Sequence, residues 1–168
     1  MKAPHNLREA VVDSSAIMSI FDGRPSRDAF KAALKCCDAL YMSAGTLLEL
    51  SIIFISRKDV QGPALLDSFL ASYKVFIVPF DEIAVATARQ GCVDFGKRRS
   101  KADLNYGDLF SYALAKARGM PLFYEGLDFL HTDLPDAMAL LGYSFDEKHA
   151  PVSGGLWPNG LTSITVPI

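Results

Sequence analysis

The chain has 168 residues, of which 50% are hydrophobic, 21% are charged and 11% are aromatic. This length and composition predict one compact domain, and they exclude a disordered tail, a collagen and a small disulfide scaffold. There are 17 Lys and Arg against 19 Asp and Glu, so the formal net charge is −2. That balance is not typical of a protein that coats nucleic acid, and contact with nucleic acid would need a local basic patch.

Cysteine usage and hydropathy indicate the compartment. Cys36, Cys37 and Cys92 form no CxxC pair, and we interpret them as reduced thiols of a cytoplasmic protein. Residues 1–13 are too polar for a signal peptide. The most apolar segment, 44–56, is shorter than the roughly 18 residues that span a bilayer and carries Glu49 at its middle. We therefore expect no membrane segment.

Apolar segments of strand and helix character alternate along the chain. The predicted strands are 10–13, 39–42, 75–78 and 121–124. The predicted helices are 14–21, 28–37, one from the N-cap Ser43 to about 56, one opened by Gly62 and Pro63, one from the cap Asp81 to about 95, and one from 105 or 106 to 118 before Gly119. Residues 125–136 are expected to form a loop with a short helix. This alternation predicts an α/β fold in which a mostly parallel sheet has helices on both faces.

Four acidic residues stand out by their positions. Asp13 ends the first predicted strand and Asp128 follows the last one, so both are expected where parallel sheets bind ligands. Asp13 could equally cap the next helix, and Asp128 could be an ordinary loop acid. Glu49 has isoleucines three and four residues further along its helix, which indicates partial burial, although an exposed polar stripe is an alternative. Asp108 lies in the first turn of an apolar helix, where the helix dipole also favours an acid.

These acids together favour a divalent metal site. A buried carboxylate costs several kcal/mol, as an order of magnitude, unless a cation compensates its charge. A cluster of carboxylates without His or Cys is typical of Mg²⁺ or Mn²⁺ rather than zinc. Such a site suits phosphoryl chemistry. Asp103 and Asp133 lie near enough in sequence to join the cluster, but the sequence leaves their membership open.

The densest basic cluster immediately precedes the segment 103–108. It consists of Lys97, Arg98, Arg99 and Lys101. A run of this kind is commonly a solvated loop, and the alternative is a rim that contacts RNA phosphates.

Four segments, in this order, resemble the PIN domain and, more closely, the VapC-type ribonuclease toxins of type II toxin–antitoxin systems. They are VVDSSAIMSIF, MSAGTLLELSIIF, IVPFDEIAVATARQGCVDFGKRR and ADLNYGDLFSYALAKARGMPLFYEGLDFLHTDL, and they extend from about residue 10 to 134. The resemblance implies a PIN-like three-layer α/β sandwich and a metal-dependent endoribonuclease. It further implies a homodimer and a cognate antitoxin that holds the enzyme inactive.

The resemblance carries over residue by residue. It matches Asp13, Glu49 and Asp108 to the family's acids, and Asp128 to the surviving acid of a GDDF-like stretch in which Leu127 replaces the other. We expect Asp13 and Asp108 to bind Mg²⁺ or Mn²⁺, and Glu49 and Asp128 to complete the cluster or orient water. Ser14 or Ser15 is expected to hydrogen-bond a phosphate or a water. RNA would be hydrolysed to a 5′-phosphate and a 3′-hydroxyl.

Other function classes can be weighed on the same residues. Dehalogenase-like phosphotransferases need a second acid two residues after the first, whereas Asp13 is followed by Ser14 and Ser15. A receiver domain needs a paired acid and a late lysine that are not evident. The remaining alternative is a degenerate PIN domain that binds RNA or a partner without catalysis, because Leu127 removes one acid.

The end of the chain lies outside the resemblance. We divide the sequence into a nuclease domain, 1–140, and an extension of uncertain order, 141–168. Residues 150–168 carry no charge and are rich in Gly, Pro and apolar residues. Their role is left open.

Overall fold

Four short parallel strands organise the structure, a computed structural model that describes residues 7–152. They are β1 (Glu9–Val12), β2 (Ala39–Ser43), β3 (Val75–Val78) and β4 (Leu122–Phe123). Their order in the sheet is β3-β2-β1-β4, and every neighbouring pair is parallel. The predicted parallel sheet is confirmed, with strand ends close to the expected positions.

Helices connect the strands throughout the described part of the chain. They are α1 (Ser14–Phe21), α2 (Arg27–Lys35), α3 (Ala44–Lys58), α4 (Gly62–Ser72), α5 (Glu82–Phe95), α6 (Asp108–Arg118) and α7 (Ala137–Leu140), with a 3-10 turn at Asp59–Gln61. The predicted caps are confirmed: Ser43 accepts from the amide of Gly45, and Asp81 accepts from that of Ala84. Gly119 ends α6 in the left-handed region at φ 61°.

The strand side chains alternate between two cores on opposite faces of the sheet. Ala10 and Val12 pack into one core with residues of α1, α2, α3, α4 and α7. Val11 packs into the other core with residues of α5 and α6. Because alternate residues of a strand point to opposite faces, two cores mean three layers. The expected PIN-like sandwich is therefore confirmed.

The strand order reverses direction beside β1. The chain passes from β1 to β2 and β3 on one side, and β4 is added later on the other side. Ligands of open parallel sheets bind in the crevice at the carboxyl ends of the strands next to such a switch point. Here that crevice is bordered by Asp13, which follows β1, and by residues 124–128, which follow β4.

Two local expectations need correction. Helix α6 begins at Asp108 and not at 105 or 106, because the Asn105 side chain accepts from the amides of Gly107 and Asp108 and forms a capping turn. The short helix expected within 125–136 is also wrong, since that segment consists of turns and α7 follows it. Gly126 at φ 107° and the proline at 135 both oppose helical backbone in this segment.

The first part of the extension packs on the domain. Tyr143 and Phe145 contact the core that includes α1 to α4. His149 stacks on Phe145 with ring centroids 4.0 Å apart, and its Nε2 lies 2.7 Å from an oxygen of Asp136. The rest of the uncharged tail, 153–168, lies outside the described residues, so the domain division stays a prediction. Between residues 7 and 152, no helix combines the length and apolarity needed to cross a membrane.

Candidate active site

Asp13 is buried at the end of β1, with 1% of its surface exposed. Its Oδ2 accepts two hydrogen bonds from Ser15, one from the amide at 2.9 Å and one from the hydroxyl at 2.6 Å. The capping interpretation of Asp13 is therefore correct for this oxygen. The other oxygen, Oδ1, is buried and has no partner among the residues that the structure describes. A cap needs only one oxygen, so the second one is free for a ligand.

Ser15 joins the ends of β1 and β4. Its hydroxyl donates to Asp13 and accepts from the backbone amide of Glu125 at 3.1 Å. The Glu125 carboxylate is itself held by Arg24, at 2.7 Å, and by the hydroxyl of Ser26. Glu125 thereby connects the loop after β4 to the turn between α1 and α2. These contacts also fix its backbone amide, which donates to the Ser15 hydroxyl beside Asp13.

Glu49 approaches the site from α3. A Cβ built on Gly107 would lie 2.8 Å from both carboxylate oxygens of Glu49, so this carboxylate rests directly against the backbone before α6. Its Oε2 is buried and finds no hydrogen-bond partner within residues 7–152. The predicted partial burial is correct, but its cause differs: Ile52 is 59% exposed, and the approach of Gly107 covers the carboxylate instead.

Asp108 begins α6 and is 8% exposed. Its Oδ2 accepts from the amide of Asn105 at 2.7 Å, while the Asn105 side chain accepts from the amide of Asp108 at 3.2 Å. This reciprocal pair resembles a capping box and fixes the side chain at the helix start. Asp108 is thus held in place by its own turn.

The pKa values of three of the acids are raised by burial and by the charge of neighbouring acids. Burial, followed by the charge of Asp13, raises the pKa of Asp108 to about 7, and Asp128 and Glu49 act in the same direction. Burial and then Asp13 also raise the pKa of Glu49, against a smaller opposite effect of the Ser14 hydroxyl. Burial, then Asp103 and then Asp13 raise the pKa of Asp128, with Lys97 opposing. The four predicted acids therefore lie near enough for Asp13 to influence each of the other three.

The structure places the two additional acids, Asp103 and Asp133, in different surroundings. Asp103 lies close enough to Asp128 to raise the pKa of that carboxyl, so it borders the cluster. Asp133 accepts from the hydroxyl of Tyr112 at 3.1 Å and forms an ion pair with Lys116. These contacts attach Asp133 to α6 and remove it from the candidate site.

The donor set fits a hard divalent cation. Asp13, Glu49 and Asp108 form no ion pair with Lys, Arg or His in the part of the chain that the structure describes. Two buried carboxylate oxygens, Asp13 Oδ1 and Glu49 Oε2, have no partner there. Oxygen donors of this kind suit Mg²⁺ or Mn²⁺. In residues 7–152, no three His, Cys, Asp or Glu side chains stand at the spacing of a complete ligand set, so closure around an ion needs side-chain adjustment.

The basic cluster lies on an exposed loop after α5. Lys97, Arg98, Arg99 and Lys101 are all exposed, and the loop is closed by a bridge between Gly96 and Leu104. The pKa effect of Lys97 on Asp128 places the start of this loop beside the acids. The four basic residues form no ion pair among the described residues. The loop can therefore offer positive charge at the border of the acidic site.

Sequence reasoning missed Glu125 and Gly107. Glu125 was hidden in a loop, and its partners Arg24 and Ser26 are about a hundred residues away in the chain. The contact of Gly107 with Glu49 joins two segments 58 positions apart in the chain, and no local pattern indicates it. The sequence feature that could have pointed to Glu125 is its position directly after a predicted strand, at the edge of the sheet where ligands bind.

Comparison with known proteins supports one family. The model of the PIN domain matches residues 10–134. A VapC ribonuclease of Mycobacterium bovis is 36% identical over 124 residues, which are 74% of this chain and 95% of that protein. Ribonuclease VapC of Mycolicibacterium smegmatis is 37% identical over 124 residues, covering 74% of this chain and 96% of that protein.

Solved structures share the fold. VapBC2 from Rickettsia felis, bound to a DNA fragment from its promoter, matches with a TM-score of 0.59 at 17% identity, over 76% of this chain and 96% of that one. VapC20 of Mycobacterium tuberculosis, described as a Sarcin-Ricin loop cleaving toxin, matches with a TM-score of 0.59 at 15% identity, over 74% and 95%. The family model, the sequence relatives and the shared fold agree, and the chain belongs to the PIN domain family.

Proposed function

We propose that this protein is a Mg²⁺- or Mn²⁺-dependent endoribonuclease and the toxin of a toxin–antitoxin pair. One observation carries the proposal: Asp13, Glu49 and Asp108 converge at the carboxyl end of the sheet, and within residues 7–152 they form no ion pair and two of their buried oxygens have no partner. A divalent cation compensates this charge, and phosphodiester hydrolysis uses such a centre. Relatives named VapC ribonucleases support RNA as the substrate.

The chain's residues have distinct tasks in this reaction. Asp13 and Asp108 would hold the ion, and Glu49 and Asp128 would complete the cluster or orient water. When bound, the ion supplies a more acidic water and neutralises charge on the phosphate. The water loses one proton and its oxygen forms a bond to phosphorus, the bond from phosphorus to the 3′ oxygen breaks, and that oxygen takes a proton, so that one water is divided between the two products. The products are a 5′-phosphate and a 3′-hydroxyl.

Substrate binding requires positive charge next to the acids. The loop with Lys97, Arg98, Arg99 and Lys101 provides it, because these side chains are exposed and the loop begins beside Asp128. Ser14 lies at the start of α1, where its side chain influences Glu49, and it is a further candidate for a phosphate contact. Contacts with phosphates fix the position of a strand without reading its sequence.

The proposed biological role follows the relatives. A solved neighbour from Klebsiella pneumoniae is described as a toxin-antitoxin complex, and the one from Rickettsia felis is a VapBC protein. These neighbours support an antitoxin partner for this chain, whereas the homodimeric state and the location in the cytoplasm are proposed from the resemblance to the family alone. Size measurement of the purified chain, alone and with the product of a neighbouring antitoxin gene, tests both assignments.

The deciding experiment measures cleavage of a mixed RNA pool in Mg²⁺, Mn²⁺ or EDTA. Asp13→Asn and Asp108→Asn are compared with the native chain and with Asp133→Asn, whose acid lies outside the cluster. We expect cleavage that requires metal, disappears in the two cluster variants and persists in Asp133→Asn. Cleavage that survives in EDTA, or in both cluster variants, would contradict the assignment.

A second candidate function is a degenerate PIN domain that binds without catalysis. It is favoured by Leu127, which is 50% exposed and replaces an acid, and by the incomplete ligand spacing within residues 7–152. Melting temperature in Mn²⁺ separates the two, because an ion that binds only the folded state stabilises it. No shift together with no cleavage would support the degenerate domain. A shift without cleavage would mean that the pool lacks the right RNA.

A further inference from the structure

The tip of the turn before α6 carries a large aromatic side chain in solvent. Tyr106 is 79% exposed, although Asn105 and Asp108 on either side of it are tied together by two hydrogen bonds. A third bond, from the amide of Gly107 to the Asn105 side chain at 2.7 Å, closes the same turn. The backbone under Tyr106 is therefore fixed while its ring is open.

The ring also rests on a fixed base. Tyr106 meets Phe110 edge to face, with centroids 5.0 Å apart and an interplanar angle of 82°. Phe110 in turn packs against Phe80 at 4.7 Å and against Gly45 of α3, where a Cβ would lie 2.3 Å from its ring. Edge-to-face contacts of this kind stabilise ring orientation. The exposed ring is consequently preorganised.

Along the chain, Tyr106 lies between the end of the basic loop and the residues that border the acids. The next residue, Gly107, contacts the Glu49 carboxylate, and Asp108 follows it. In the other direction, Leu104 closes the loop that carries Lys97, Arg98, Arg99 and Lys101. Proteins that bind single-stranded nucleic acid combine a basic path for the backbone with aromatic rings on which bases stack. Here both elements flank the candidate site.

We propose that Tyr106 is a stacking platform for one unpaired nucleobase next to the phosphate that is cleaved. The inference rests on the proposed ribonuclease function and deepens it, because it names a residue that holds a base of the substrate beside the acids. A base inside a duplex is stacked on its neighbours and cannot lie on this ring. Any base offers a π-face, so the platform selects unpaired nucleotides and not a particular sequence.

The test separates base stacking from charge. Binding is measured by fluorescence anisotropy with labelled oligoadenylate of about 12 nucleotides and with an abasic ribose-phosphate strand of the same length and charge. The protein carries Asp13→Asn, so that the strands stay intact; the Asn side-chain oxygen can still accept from Ser15. In this background we compare Tyr106 with Tyr106→Phe, Tyr106→Leu and the control Phe76→Leu, an exposed aromatic position on β3.

We expect Tyr106→Leu to weaken oligoadenylate binding by about 5- to 150-fold and to leave the abasic strand unaffected. Tyr106→Phe and Phe76→Leu should bind both strands like the parent. Melting temperatures should be unchanged, because the Tyr106 side chain is mostly in solvent. When Asp13 is restored, Tyr106→Leu should also cleave single-stranded RNA more slowly than the native chain, Tyr106→Phe and Phe76→Leu.

Two results would overturn the inference. Equal binding of oligoadenylate by the parent and Tyr106→Leu would show that the ring does not contact a base, and it would leave a protein contact as the use of this surface. An equal loss on both strands would show a change in loop position and not stacking. If the parent binds neither strand and the native chain cleaves no RNA, the proposed function itself has failed.

Discussion

Gly107 and Glu49 meet backbone to carboxylate, so that a Cβ at position 107 would lie 2.8 Å from each Glu49 oxygen. Real Cβ atoms do not approach this closely, and any side chain at 107 must displace the carboxylate. The φ of Gly107 is −65°, which every residue adopts. Gly107 is therefore required for the space it leaves to Glu49 and not for its backbone freedom.

Replacing Gly107 by Ala should damage the site more than the fold. The clash involves the end of a flexible side chain, so Glu49 can rotate away at little cost to stability. We expect RNA cleavage to fall by about 10- to 100-fold, a range typical of lost positioning, while the melting temperature changes little. Cleavage kinetics in Mg²⁺ measure the effect on the site, and thermal unfolding in EDTA measures the effect on stability.

A double-mutant cycle provides the control for Gly107→Ala. In the Glu49→Ala background no carboxylate remains to be displaced, so adding Gly107→Ala should have no further effect on cleavage. An additive loss would show that the methyl group acts on the turn of Asn105 and Asp108 instead.

The metal-free protein should lose stability as pH rises between about 4 and 7. The pKa of Asp108 is raised from 3.8 to about 7, first by burial and then by the charge of Asp13. Between these values the folded state binds more protons than the unfolded state, so stability falls with pH and levels off above the folded pKa. Urea unfolding across this range, in EDTA, measures the effect.

Asp108→Asn is the matched variant for the pH dependence. It keeps an acceptor for the Asn105 amide but does not titrate. The native chain should be less stable relative to this variant at pH 8 than at pH 4. A difference that does not depend on pH would contradict the raised pKa.

The basic loop should determine the salt dependence of RNA binding. Each phosphate contact with a single strand contributes about 0.7 to the slope of log K against log salt. Lys97→Gln together with Lys101→Gln should therefore lower the slope by about 1.4. The pair Lys31→Gln and Lys35→Gln on α2 removes the same charge elsewhere and should change the slope less. Equal slopes in the two pairs would remove the loop from the RNA path.

The Glu125 contacts should support both stability and the position of Asp13. Its side chain is 8% exposed and accepts from Arg24 and Ser26. Glu125→Gln removes the negative charge that pairs with Arg24, and we expect a loss of about 2 kcal/mol in unfolding free energy. Because the Glu125 amide donates to Ser15, cleavage should fall as well. The exposed acid Glu147 gives the control Glu147→Gln, for which neither quantity should change.

Local features of the sequence predicted most of the fold. The caps at Ser43 and Asp81 bind amides two or three residues away, so the residues needed to recognise them lie side by side in the chain. The strand 75–78 was correct as predicted because its composition and the following proline are local too. The helix predicted within 125–136 is absent for the opposite reason. The turns that this segment forms instead depend on Gly126 and on contacts within the loop.

The amino-acid pattern and the family resemblance were sufficient to predict Asp13, Glu49, Asp108 and Asp128 as site residues. Each of them lies at the end of a strand or on a helix beside the same edge of the sheet. The pattern could not show what surrounds them. Glu49 is covered by Gly107, and the position of Asp13 depends on Ser15 and Glu125, contacts that join segments far apart in the chain. Such contacts depend on the order of strands in the sheet, which puts β4 beside β1, and no local periodicity encodes that order.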